Sequence, residues 1–468
     1  MNTICAISTP YGSGGIAVIR VSGESAIQIV DSLFRGKKPL TEAPAYTVHY
    51  GEIRREVHDD EVLDQVLVSI FRAPHSFTGE DVVEIACHGS TYIQQTLLHW
   101  LVDAGCQLAK AGEFTQRAFL NGKMDLTEAE AVADLIAAQT KAEKDLALSQ
   151  LRGGISNELA QLREQLLTIT SLIELELDFA DHEELEFADR SQLNELATVI
   201  DRTIGALVAS FKTGNAIKQG IPVAIIGAPN VGKSTLLNAL LGEERAIVSD
   251  IQGTTRDTVE DTMVLGGMLF RFIDTAGMRE TADTIENMGI ERSRQAAQKA
   301  AIIIHMQDAT QPIDALSQLT DIEGKTIIHV YNKADLLPSS PHHLITSSPH
   351  HLIASSPDNL ITSSPNNLIT ISAKNGDISP LKQLLLDYAE QQCNMRNAVT
   401  ISNTRHYEAL VRAQDAIRRV QDGLSMQISG EFLSMDLQDC LAALGEITGQ
   451  ITSQEVLNNI FSKFCIGK

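Results

Sequence analysis

The chain has 468 residues, 43% hydrophobic and 21% charged, a balance that fits a globular protein of about two to four domains. No apolar run approaches the ~20 residues that cross a bilayer, and the opening MNTICAISTPYGSGG lacks a basic segment followed by an apolar core, so no membrane span or secretory signal is expected and the chain reads as cytoplasmic. A net charge of −23 works against direct hold on a phosphate backbone, so a nucleic-acid substrate would need a local basic patch or a basic partner.

Residues 1–120 read as short strands and loops of an α+β domain. AISTPYGSGGIAVIRVSG is a strand, a Gly-rich turn and a strand, and DVVEIACHGS is a buried strand. From Asp125 the period becomes helical: Thr127 and Glu130 predict a capping box, and the periodicity runs over a first helical part, residues 121–215, to about Phe211. Gly153-Gly154 is its one break, and the acidic ELELDFADHEELEF is a solvated helix face on the ordinary reading.

Residues 216–390 change again. IPVAIIG, LFRFIDTAG, AIIIHMQD, TIIHVYNKAD and NLITISAK are apolar runs ending in polar residues, several separated by helical segments. That is a doubly wound α/β domain with ligand groups at the carboxyl ends of its strands, and Gly266-Gly267 predicts a hairpin that adds an antiparallel edge. Inside it, residues 339–370 repeat an octad, SSPHHLIT SSPHHLIA SSPDNLIT SSPNNLIT. The histidine pairs of the first two copies become Asp-Asn and Asn-Asn in the others, which favours loop expansion over metal binding. Residues 391–468 return to helix, so the α/β domain is inserted in a helical one.

The chemistry sits in the inserted domain. GAPNVGKST is G-x-x-x-x-G-K-S/T between a strand and a helix: the backbone around Gly227 and Gly232 wraps phosphates, Lys233 reaches the β/γ oxygens and Ser234 binds Mg²⁺. Asp274 of FIDTAG suits the acid behind the Mg²⁺, and Gly277 could meet the γ-phosphate. In NKAD, the Asp335 carboxylate can accept both N1–H and N2–H of guanine, which adenine does not offer, with Asn332 supporting the loop. Ser372, Ala373 and Lys374 close the base pocket, and Thr255 of GTTRD is placed to complete the Mg²⁺ shell. Four elements in this order make a P-loop, Ras-like GTPase. The GTP-binding set is Asn230, Val231, Gly232, Lys233, Ser234 and Thr235; then Ser249, Asp250, Ile251, Gln252, Gly253, Thr254 and Thr255; then Asp274, Thr275, Ala276 and Gly277; then Asn332, Lys333 and Asp335 with the SAK loop. Ras-like GTPases carry a water-orienting glutamine where this chain has Met278, so catalysis needs an arginine finger (Arg256 or Arg279), a cation, or another acid such as Glu286.

GAPNVGKST, SDIQGTTRD, DTAGMRE, NKAD and SAK, with SFTGEDVVEIACHGS, GEFTQRAFLNGKMDLTEAEAVADLI and the ending FCIGK, resemble the MnmE (TrmE) family of tRNA-modification GTPases over the full chain, the octads excepted. The resemblance implies an N-terminal tetrahydrofolate-binding and dimerisation domain, with Arg20, Glu84, Lys123 and Lys468 on a 5-formyltetrahydrofolate-type ligand. It implies K⁺ in place of an arginine finger, held by Asn230, Ser249, Ile251 and Thr254 when two G domains meet, with Glu286 orienting water. It also implies a homodimer that joins an FAD-containing MnmG (GidA) protein in a heterotetramer. That complex would add a carboxymethylaminomethyl or aminomethyl group to C5 of the wobble uridine of certain tRNAs. Rival readings are a ribosome-assembly or regulatory GTPase without tRNA chemistry, a GTP-regulated one-carbon transferase, and a switch prenylated at Cys465.

None of the six cysteines forms a C-x-x-C pair, so neither zinc nor a disulfide framework is expected. Gly467 and Lys468 after Cys465 do not suit prenylation. Thr452 and Glu455 predict a capping box for a last helix that would put Cys465 at its C-terminus, where the dipole disfavours a thiolate. With the resemblance, the tail becomes a lid: Phe464 packs, Gly467 frees the turn, Lys468 reaches the folate pocket, and Cys465 is either a delivered catalytic thiol or structural.

Overall fold

The structure is a computed structural model, which describes residues 2–55, 61–178, 190–244, 261–273, 294–311, 325–337, 368–394, 399–462, 464 and 467. The chain forms two compact units. One comprises Met1–Ala137, Ala147–Ile204 and Glu408–Lys468; the other comprises Ala138–Leu146 and Gly205–Tyr407.

The first unit starts with strands β1 (Ile4–Ile7) and β2 (Gly14–Ser22), helix α1 (Ala26–Leu33), and strands β3 (Phe34–Gly36), β4 (Thr47–Arg55), β5 (Glu61–Phe71) and β6 (Val82–Gly89). Helix α2 (Thr91–Asp103), the short β7 (Gln107–Leu108) and α3 (Glu113–Leu120) follow. The strands form one seven-stranded sheet in the order β3-β4-β5-β6-β2-β1-β7. Alternation along β2, β5 and β6 puts Ile19, Val21, Val66, Val68, Val83 and Ile85 in a core under α1 and α2. The opposite face carries Arg20 and Glu84, directly paired in the antiparallel β2–β6 register. Cys5, Cys87, Cys106 and Cys440 are free and buried, and burial pushes Cys87 up to about 11 and Cys440 up to about 12. Neither is an activated nucleophile at neutral pH.

The helical tract is α4 (Leu126–Ala137), α5 (Lys141–Leu151), α6 (Gly154–Asp178) and α7 (Arg190–Gln219). α4 is capped by a reciprocal pair two residues earlier than the sequence predicts: Glu128 N–H donates to Asp125 Oδ1, and Asp125 N–H donates to Glu128 Oε2, both at 2.9 Å. Asp125-x-x-Glu128 and Thr127-x-x-Glu130 overlap, and the aspartate wins because Thr127 Oγ1 itself donates to Asp125 at 2.7 Å. α7 runs eight residues past the expected end at Phe211, whose ring stacks on Tyr407 at 4.4 Å.

The second unit holds β8 (Ile221–Gly227), α8 (Lys233–Glu244), β9 (Asp261–Leu265), β10 (Met268–Phe272), β11 (Ile302–Asp308), β12 (Thr326–Asn332), β13 (Leu368–Thr370) and α9 (Ser379–Asn394). Its sheet order is β13-β12-β11-β8-β10-β9, parallel except for the edge strand β9, which the Gly266-Gly267 turn folds back against β10. β13 is the end of the last octad, and the three preceding copies lie outside the described residues. The chain leaves β8 toward β10 on one side and later returns to β11 on the other, so the order reverses beside β8. A ligand crevice forms at the carboxyl ends of strands where the order reverses. The remaining helices are α10 (Thr404–Ser425), α11 (Gly430–Thr448) and α12 (Gln454–Phe461). Among the described residues no helix is long and apolar enough to cross a membrane.

Candidate functional site

The loop between β8 and α8 stands at that reversal. Asn230 takes a left-handed backbone (φ 62), as does Gly232 (φ 98). A Cβ on Gly232 would collide with Nδ2 of Asn332, so only glycine lets the two loops approach this closely. The α8 N-terminus opens at Lys233, presenting the positive dipole end of a helix to an anion. Lys233 Nζ donates to Gly227 O at 2.8 Å and Ala228 O at 2.9 Å, curling over the loop, and burial lowers its pKa. Phosphate oxygens would be better partners for this desolvated ammonium than two carbonyls. Ser234 and Thr235 follow on the first turn of α8.

The base side is tied to the phosphate side by one side chain. Buried Asn332 donates from Nδ2 to Val231 O at 2.8 Å and accepts at Oδ1 from Ala373 N–H at 3.0 Å. It therefore links the P-loop, the end of β12 and the SAK loop. Ser372 Oγ donates to Asp335 Oδ1 at 2.7 Å, which fixes the rotation of the candidate guanine acceptor. Lys333, with φ 69, sends Nζ to Asp308 Oδ2 at 2.6 Å. Asp308 belongs to no motif read from the sequence, although HMQD does end an apolar run in an acid. Hydrogen bonds from Lys333 and Thr310 hold its carboxyl down to about 2. Lys374 lies in the short turn Ala373–Asn375 that follows.

The N-terminal candidates gather on the open sheet face. Arg20 donates from Nε (2.9 Å) and Nη2 (2.8 Å) to Glu84 Oε1, and its guanidinium lies 5.5 Å from the Phe77 ring centroid and 5.6 Å from that of Phe114. Lys123 Nζ donates to Pro74 O at 3.1 Å, at the other end of the loop that carries Phe77. The tail arrives from α12: a Cβ on Gly112 would strike Phe461 and Phe464, and Ser8 Oγ donates to Gly467 O at 3.2 Å. Gly467 has φ 96, and a side chain there would run into the Ile7 carbonyl. Since Ala6 pairs with Arg20 across β1–β2, the tail touches down beside the Arg20 end of the sheet. α12 is capped by Ser453, whose Oγ accepts from Val456 N–H at 3.3 Å, rather than by Thr452. The Thr452 hydroxyl is buried without a partner.

Several expected positions lie outside the described residues: Ser249, Asp250, Ile251, Gln252, Gly253, Thr254 and Thr255; Asp274, Thr275, Ala276 and Gly277; Glu286, Cys465 and Lys468. The nucleotide cradle is built. One K⁺ candidate, Asn230, and one Mg²⁺ candidate, Ser234, stand at its rim. A cationic and an anionic side chain sit together on the N-terminal sheet, as a pterin and its carboxylates would require.

Comparison with known proteins agrees with this arrangement. The family model for the GTP-binding protein TrmE N-terminus matches residues 3–123, and that for the MnmE helical domain matches residues 126–465. The chain is 53% identical over 477 residues to "tRNA modification GTPase MnmE" of Parabacteroides distasonis, covering 100% of both. It is 51% identical to the protein of that name from Bacteroides thetaiotaomicron, and 48% to that from Flavobacterium johnsoniae, in each case over 100% of this chain and 99% of the relative. Among solved structures, Era in complex with MgGDPNP and a 16S ribosomal RNA fragment aligns at 29% identity with 42% of this chain and 65% of that one, at a TM-score of 0.26. The built P-loop cradle, the two family models and full-length identity near one half lead to one conclusion: the chain belongs to the MnmE (TrmE) family of GTPases.

Proposed function

We propose that this protein is a tRNA modification GTPase. With an FAD-containing partner of the MnmG (GidA) kind, it adds a carboxymethylaminomethyl or aminomethyl group to C5 of the wobble uridine of certain tRNAs. The observation that carries the nucleotide part is Asn332, which joins the P-loop to the SAK loop. One side chain thereby holds the phosphate side and the base side of the cradle together. The tRNA part rests on the full-length relatives and their printed names.

In this reading Asp335, oriented by Ser372, accepts the guanine N–H pair. Lys233 leaves the two loop carbonyls for the β- and γ-phosphate oxygens. Ser234 and Thr255 would hold Mg²⁺ with Asp274 behind them, and Asn230, Ser249, Ile251 and Thr254 would hold K⁺. These cations supply positive charge where the β–γ bridge becomes anionic. Glu286 orients the attacking water, a task Met278 is unfitted for. In the N-terminal domain Arg20, Glu84, Lys123 and Lys468 take a tetrahydrofolate ligand of a homodimer, and Cys465 is delivered beside it. The net charge of −23 fits a partner that supplies much of the tRNA-binding surface.

The deciding measurement is mass analysis of wobble nucleosides in a strain lacking the protein. The deletion strain is expected to lack the modified uridine and the gene to restore it; normal modified uridine in the deletion strain would sink the reading in favour of a regulatory or ribosome-assembly GTPase. GTP turnover should be faster in KCl than in NaCl, and equal rates would remove the K⁺ site. Cys465→Ser with intact GTPase and lost modification places the thiol in the tRNA chemistry; unchanged modification excludes an essential thiol.

A further inference from the structure

We infer that Asp308 is a positioning residue for guanine nucleotide binding, anchoring Lys333 so that the lysine stem forms a fixed wall of the base pocket. The inference rests on the GTPase reading and adds to it a residue that none of the nucleotide motifs contains. Asp308 is the last residue of β11 and stands opposite Asn332, the last residue of β12, in the parallel register. Its side chain is 7% exposed, and both oxygens are used. Oδ1 accepts from Thr310 N–H at 3.0 Å and from Thr310 Oγ1–H at 2.7 Å, and Oδ2 accepts from Lys333 Nζ at 2.6 Å. The carboxylate is thus rigid before it meets the lysine.

Lys333 is held at its other end as well. Its backbone is left-handed, an uncommon state for a residue with a Cβ, and the next residue is tied to the neighbouring strand by Ala334 N–H to Ile371 O at 3.1 Å. A side chain pinned at both ends is stretched along the carboxyl edge of β11 and β12, where ligands of such sheets bind. Its 32% exposure means that the ammonium is not filling a core. A lysine carries an apolar stem of four methylenes, here on the residue between Asn332 and Asp335 in sequence, and such a stem is suited to the flat face of a purine. An unanchored lysine would lose its rotamer freedom when the base arrived; the anchored one has already lost it. A bland alternative is that the ion pair only stabilises the strand ends, and the two roles separate experimentally.

The test uses the full chain and equilibrium binding of GDP and GTP. Asp308→Asn keeps an oxygen for Thr310 and removes the anion from Lys333. It is expected to raise the dissociation constants for both nucleotides about tenfold, the scale of one charge-assisted hydrogen bond, with turnover at saturating GTP and the thermal midpoint unchanged. Lys333→Met keeps the stem and removes the ammonium. In that background Asp308→Asn should change nothing further, since its effect runs through the lysine. Unaltered affinity in the single variant, or additive losses in the double, overturns the inference. If Asp308→Asn lowers the thermal midpoint, the Lys333→Met background still decides, because any further loss of affinity there overturns it. A wild-type chain that fails to bind GTP would overturn the GTPase reading itself, a distinct failure visible before any variant is made.

Discussion

The nucleotide cradle and the N-terminal pocket are built in opposite ways. In the cradle, side chains hold backbone: Asn332 bonds Val231 O and Ala373 N–H, and Lys233 bonds two loop carbonyls. The recognition surface is then a set of main-chain groups kept open by polar struts. In the pocket, side chains hold each other: Arg20 and Glu84 neutralise one another on adjacent strands, and Arg20 lies against two phenylalanine rings. A phosphate meets donors already aimed at it, whereas an anionic ligand at Arg20 must compete with Glu84. The first design suits tight binding of one ligand class. The second suits exchange, in which each partner of the pair can turn to a different part of one ligand.

That contrast can be broken at its strongest point by Lys233→Ala, which removes the ammonium from the phosphates. GTP turnover, followed as phosphate release, should fall by about 10²- to 10³-fold. Asn332→Ala removes the strut and leaves Val231 O and Ala373 N–H unmet. It should cost about 2–3 kcal/mol of stability in chemical denaturation and weaken GTP binding in parallel. Gly467→Ala tests the tail as the pocket's closing piece. A Cβ would meet the Ile7 carbonyl in a left-handed backbone, so a loss of about 1–3 kcal/mol is expected, with GTP turnover intact. Glu84→Gln sharpens the exchange argument: it frees Arg20 for an anion, removes an acceptor for pterin N–H groups, and costs at most about 1 kcal/mol for a partly exposed pair. Calorimetric titration with 5-formyltetrahydrofolate should show weakened binding; unchanged affinity would remove Glu84 from the pocket. Ser453→Ala, the mildest, should lose about 0.5–1 kcal/mol through the α12 cap, and Thr452→Ala less.

The cradle was legible in the sequence because its geometry is local. Six residues from Gly227 to Gly232 turn between one strand and one helix, and the spacing alone implies the backbone path. Asp335 and Ser372 were legible for the same reason, each just past a strand end. Asp308 was not, since what makes it matter is the register of β11 against β12, which brings a residue 25 positions away to its carboxylate. Phe77 and Phe114 were not either: a loop and α3 bring them to Arg20 without any repeating pattern. The caps of α4 and α12 show a finer limit. Overlapping candidates, Asp125 against Thr127 and Ser453 against Thr452, differ by one or two residues, which is finer than helical periodicity resolves. Family likeness carried the N-terminal candidates; the residues alone read as surface charges.

The bond between Ser8 and Gly467 spans 459 positions of chain. It joins the end of β1 to the turn that follows α12. The N-terminal sheet has its own core of local and medium-range contacts and can collapse early. The contacts of Gly112 with Phe461 and Phe464, and of Ile7 with Gly467, form only when α12 and the turn after it dock on that sheet. The tail contact is therefore non-local: a chain cut within α11 or α12 keeps the residues of both sheets yet loses the contact of Gly467 with Ile7 and Ser8.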